Sequence, residues 1–177
     1  MNEILTFWFN ELTPEQWFTK SDDLDNQITH RFQDLLQRAS QCELYEWRNT
    51  AEGCLAEVIV LDQFSRNIFR DTPKAFTQDP LALALAQQAI SLGKDKTLTT
   101  QQKSFLYMPF MHSESKVIHE QAVKLFSQQG LEYNLEFEYK HKVIIDRFGR
   151  YPHRNEILGR ESTVDEIKFL ELPDSSF

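Results

Sequence analysis

Asp146-Arg-Phe-Gly-Arg-Tyr-Pro-His-Arg-Asn155 places Arg147, Arg150, His153 and Arg154 within eight consecutive positions. Guanidinium forks donate paired hydrogen bonds to phosphate or carboxylate oxygens, and imidazole exchanges a proton near neutral pH. The chemistry on offer is therefore anion binding beside an acid–base group. The positive charge is local. Between Lys140 and Arg160 there are six Lys or Arg against two acids, in a chain with 19 bases and 27 acids.

Two further patches carry the same kinds of residue. In Leu61–Arg70, Asp62 precedes Arg66 by four positions, the favoured order for a helical ion pair, and Asn67 and Arg70 follow. That pair is either a structural link in the core or a pair of groups lining a cavity. In Met108–Glu114, His112 and Glu114 stand just after Pro109, at an expected helix–helix corner. His141 shares a helix face with Ile144, Ile145 and Phe148, so it points toward the interior. If the patches meet, Asp62, Arg66, Asn67, Arg70, Glu114, His141, Arg147, Arg150, Arg154 and Asn155 would hold an anionic ligand, with His112 or His153 as acid or base.

Other chemistries find less support. His119-Glu120 begins like a zinc-protease motif, but position 123 is Val. No spacing supports a metal site among His112, Glu114 and His141. There is no Gly-rich phosphate loop and no cofactor fingerprint, so neither metal nor cofactor is expected.

Helices must position these groups. Thr13-Pro14-Glu15-Gln16, Thr99–Gln102 and Thr163–Glu166 read as helix starts with capping boxes, and Asp79-Pro80 as a cap followed by Pro. Gly93, Gly130 and Gly149 read as helix stops. The pattern predicts helices at roughly 2–10, 14–20, 22–40, 51–69, 80–92, 100–111, 114–129, 135–148 and 163–170. Along the fourth, Leu55, Ile59, Asp62, Arg66 and Phe69 fall on one face of an ideal helix. Pro109 should kink or end its helix. Arg150–Arg154 then lie on a tight turn, with Asn155 capping a short segment that ends at Gly159. No period-2 strand pattern and no internal repeat is visible. The expectation is all-α, about eight or nine helices in antiparallel pairs, in one domain over residues 1–177.

With 14 Phe and 3 Trp the chain can build a large core, and only 5 Gly and 6 Pro disfavour a β-sandwich. A net charge of −8 opposes nucleic acid and anionic membranes as partners. The longest strongly apolar run, Val58–Leu61, cannot span a bilayer, and no basic leader precedes Ile4. A cytoplasmic protein with two reduced, packed thiols, Cys42 and Cys54, is expected.

Leu61-Asp-Gln-Phe-Ser-Arg-Asn-Ile-Phe-Arg70, Met108-Pro-Phe-Met-His-Ser-Glu114 and Arg147-Phe-Gly-Arg-Tyr-Pro-His-Arg-Asn155 together resemble the DUF924 family. Leu158–Thr163, Phe169-Leu170, Leu5–Phe9 and Trp17-Phe18 fit the same pattern. The resemblance implies a tetratricopeptide-like helical fold and no particular activity. Ser65 stands where many members carry Pro, which implies a less kinked helix here. Two function classes follow: a small anionic ligand in an Arg/His-lined pocket, or an interaction module that takes an acidic peptide in a basic groove.

Overall fold

The computed structural model describes residues 1–173, 175 and 176, and among them there are helices and no strands. Contacts divide the chain into two compact units. The first is Met1–Arg70 with Lys74–Pro109, the second Asp71–Pro73 with Phe110–Phe177.

The first unit opens with α1 (Asn2–Thr6), which widens into a π turn at Phe7–Glu11. α2 (Asp22–Ser40) is capped by the Ser21 hydroxyl and buries Leu24, Ile28, Phe32 and Leu36, an i, i+4 stripe. α3 (Ala51–Ile59) is capped by Thr50 and is buried almost all round; it passes through a second π turn, Val60–Phe64, into α4 (Ser65–Ile68). α5 (Asp79–Ser91) packs on α3, while α2 packs on the second π turn and α4. The two π turns serve the same core. Phe64 lies 5.0 Å from Phe32, 5.6 Å from Trp8 and 6.1 Å from Phe7, centroid to centroid. Trp8, Trp17 and Phe9 extend the cluster to Phe105 of α6 (Thr100–Met111).

In the second unit α7 (Lys116–Phe126) packs on α8 (Glu132–Phe148). Gly149 closes α8 at φ +72°, with its N–H on the Ile145 carbonyl. A 3-10 turn (Pro152–Arg154) and α9 (Val164–Leu170) follow. Thr163 and Glu166 complete the expected capping box of α9. Ile144, Ile145 and Tyr151 form a core cluster, with Phe148 and Phe169 against it.

The expectations fail where a side chain has a stronger claim on it. Residues 14–18 form turns rather than a helix, although Thr13 N–H does bond to Gln16. Asp79 does not cap α5, because Arg66 takes both of its oxygens. Pro109 lies inside α6, which continues to Met111. Asn155 uses its side chain on Arg160 and Ser162 instead of capping. Cys42 is exposed at φ 60° rather than packed, while Cys54 is buried. Helix 51–68 is irregular without a proline: a π turn adds one residue and rotates everything beyond it by about 100°. The single face from Leu55 to Phe69 is therefore broken in the middle. No helix among the described residues is long and apolar enough to cross a membrane.

Candidate functional site

In the first unit, the Asp62–Arg70 motif is closed on itself. Arg66 donates to the Asp62 carbonyl at 2.7 Å and to both Asp79 oxygens at 2.9 and 3.0 Å. Its Nη1 also lies 3.3 Å from the Asp62 carboxylate, the i,i+4 pair anticipated from spacing. Arg70 grips Asp25 with two nitrogens, and Asn67 donates to the same carboxylate at 2.8 Å. Burial works against the Asp25 charge, but Arg70, Asn67 and Lys20 outweigh it and hold its pKa below the usual range. These forks are committed to carboxylates within their own unit, and they tie α2 and α5 to the helix carrying them. Asp25→Ala is expected to cost about 2–3 kcal/mol in urea unfolding, because it strips Asn67 and Arg70 of their acceptor at once.

In the second unit, a polar network surrounds Tyr151, which is fully buried. Its backbone N–H donates to Glu114 at 2.8 Å, and its hydroxyl donates to the Met111 carbonyl. Glu114 accepts a two-nitrogen fork from Arg160 at 2.7 and 2.9 Å. Arg160 also reaches the Tyr151 carbonyl at 3.1 Å and Asn155 at 2.9 Å. Burial opposes the Glu114 charge, yet Arg160, the Tyr151 N–H and nearby Arg154 leave its pKa lowered. The Arg154 guanidinium sits over the Tyr151 ring at 4.5 Å.

Four of the chain's five histidines belong to this unit: His112, His119, His141 and His153. His141 donates from Nδ1 to the Phe137 carbonyl at 2.8 Å, and its ring is 5.7 Å from Tyr151. Burial drives its pKa down to about 3, aided by His112, His119 and His153 nearby. His153 lies 5.4 Å from the Tyr151 ring. Burial and adjacent Arg154 lower its pKa to about 4, against a hydrogen bond to the Ser175 backbone. Both rings are neutral at pH 7, so His153 can accept a proton there but not supply one. No group of three His, Cys, Asp or Glu among the described residues is placed to hold a metal ion.

His119 and Glu138 form a fully buried pair that sequence reasoning did not select. Glu138 meets His119 Nδ1 at 2.7 Å, while Nε2 faces the Ser113 carbonyl at 2.8 Å and the Tyr151 hydroxyl at 3.2 Å. A carbonyl can only accept, so Nε2 carries a proton. Burial pushes the Glu138 pKa up, and its second oxygen has no partner. A signal was available: Glu138 lies on the same buried α8 stripe as His141 and Ile145, where an acid needs a facing partner.

The remaining arginines of the 147–154 segment differ sharply. Arg150 is committed to Glu166 through two bonds, 2.7 and 2.8 Å, and to the Glu161 carbonyl at 2.8 Å. Hydrogen bonds from Arg150 lower the Glu166 pKa to about 2, against burial. Arg147 has no carboxylate partner among the described residues; its guanidinium lies over Phe148 at 4.6 Å and near Phe169 at 5.9 Å. Arg147, Phe148, Arg150, Thr163, Asp165 and Glu166 line a pocket of about 430 Å³.

The motifs run through both units, and a family model described as a bacterial protein of unknown function, DUF924, matches residues 4–174. The chain belongs to the DUF924 family. A solved structure extends the likeness: the protein of unknown function ATU0120 from Agrobacterium tumefaciens is 39% identical, with a TM-score of 0.91 over 96% of each chain. No curated protein matches this chain.

Proposed function

We propose that this DUF924 protein binds a small phosphate- or carboxylate-bearing molecule in the pocket between the end of α8 and the start of α9. Arg147 carries the reading. Most arginine forks near it are spent on carboxylates, whereas the Arg147 guanidinium lies over Phe148 and near Phe169 and has no carboxylate partner among the described residues. A cation–π contact engages the charge without using the N–H donors, which leaves them for an oxyanion. A pocket of about 430 Å³ suits a small metabolite better than an acidic peptide. Arg150, and Arg160 beyond the segment, hold the chain that follows the end of α8, where Arg147 stands. The reading is of a cytoplasmic protein with tetratricopeptide-like helix pairing.

Titration with inorganic phosphate, followed by amide chemical shifts, tests this. Shifts should centre on residues 147–150 and 163–166, and Arg147→Ala should weaken binding about tenfold. Lys124→Ala, on the exposed face of α7, should leave binding unchanged. Equal phosphate affinity in wild type and Arg147→Ala would reject the reading, as would no binding at all.

A further inference from the structure

The same pocket holds a second uncommitted charge of opposite sign. Asp165 lies at the start of α9 with no hydrogen bond or ion pair among the described residues. Its neighbour Glu166 is fully used: it takes two bonds from Arg150 and one from the Thr163 N–H at 2.7 Å. The Thr163 hydroxyl accepts from the Glu166 N–H at 3.3 Å, which leaves its own proton to donate. The Arg150–Glu166 pair is thus a neutral wall. Three groups with unspent capacity share the pocket: the Arg147 cation, the Asp165 anion and the Thr163 hydroxyl. Phe148 supplies an apolar surface beside them.

A simple phosphate would satisfy Arg147 and leave Asp165 without a counter-charge. A molecule with a carboxylate and an ammonium a few ångströms apart would satisfy both, and an apolar side chain would lie on Phe148. We infer that the pocket lined by Arg147, Phe148, Thr163 and Asp165 takes a zwitterion of the amino-acid class, its carboxylate on Arg147 and its ammonium on Asp165. This rests on the anion-binding reading of Arg147 and narrows it. Both charges stand at the surface, so each contributes modestly, and weak binding is expected.

Three probes of one shape separate the contributions: L-leucine, 4-methylpentanoate, which lacks the amine, and 3-methylbutylamine, which lacks the carboxylate. Amide-shift titrations of the wild-type chain should rank leucine above 4-methylpentanoate by about fivefold, with the amine weakest. Asp165→Asn should erase leucine's advantage and leave or improve 4-methylpentanoate binding. Arg147→Ala should weaken both acids. If 4-methylpentanoate binds as tightly as leucine, or if Asp165→Asn leaves leucine's advantage intact, the zwitterion assignment falls while the anion reading stands. If neither acid binds, both readings fall. Circular dichroism of each variant checks that the fold is retained.

Discussion

Lowering the pH from 7 to 4 is expected to destabilise the protein by about 3 kcal/mol through His141 alone. The folded-state pKa of His141 is about 3, against about 6.5 for an unperturbed histidine, because burial disfavours the cation. A group with a depressed folded pKa binds its proton in the unfolded chain first. Its contribution is complete above the unfolded value and is lost as pH falls from 6.5 toward 3. His153, at about 4, adds a loss in the overlapping window from 6.5 to 4. Glu166 acts lower: with a pKa near 2 its ion pair weakens only as pH drops below the ordinary Glu range. Of these three groups, the histidines alone carry the loss above the ordinary Glu range. Urea unfolding of His141→Gln, which keeps a neutral polar side chain, should show a shallower decline between pH 6.5 and 4. Parallel declines in wild type and variant would show that His141 is not held neutral by burial.

Helix positions were readable because the chain marks them with local chemistry. Thr163 with Glu166, Thr99 with Gln102 and Gly149 at φ +72° act within a few residues of themselves. Partners distant in sequence were less readable. The fate of Asp79 was decided by Arg66, thirteen residues away, which drew it off its helix end. The π turn at Val60–Phe64 broke a face drawn with a constant period, and no proline or glycine near it announces it. The candidate site divides along the same line. Type and spacing marked Arg147, Arg150 and Arg154 alike, but only the structure distinguishes Arg150, bound to Glu166, from Arg147, whose guanidinium lies over Phe148 and near Phe169. Arg160 was visible only as part of a family motif, although it joins Glu114, Asn155 and the Tyr151 carbonyl.

Glu138→Leu is expected to destabilise the protein by about 3–5 kcal/mol, the scale for breaking a buried ionisable pair by removing one partner. His119 is fully buried, and Glu138 is the partner of its Nδ1. With leucine opposite, that nitrogen loses its hydrogen bond in an apolar setting and water cannot replace it. His119→Leu should cost a similar amount for two reasons: it strands the Glu138 carboxyl, one of whose oxygens already lacks a partner, and it removes the donor to the Ser113 carbonyl. The double variant decides what the pair is for. Two leucines of suitable volume remove both desolvated groups together, so its cost should fall well short of the sum of the singles. Recovery should still be incomplete by about 1–3 kcal/mol, since the Ser113 carbonyl stays buried without its donor. Additive losses would mean that the two side chains stabilise α7 and α8 independently. A coupling of about 2 kcal/mol or more would establish the pair as the polar link between α7 and α8, on the ring that also meets the Tyr151 hydroxyl.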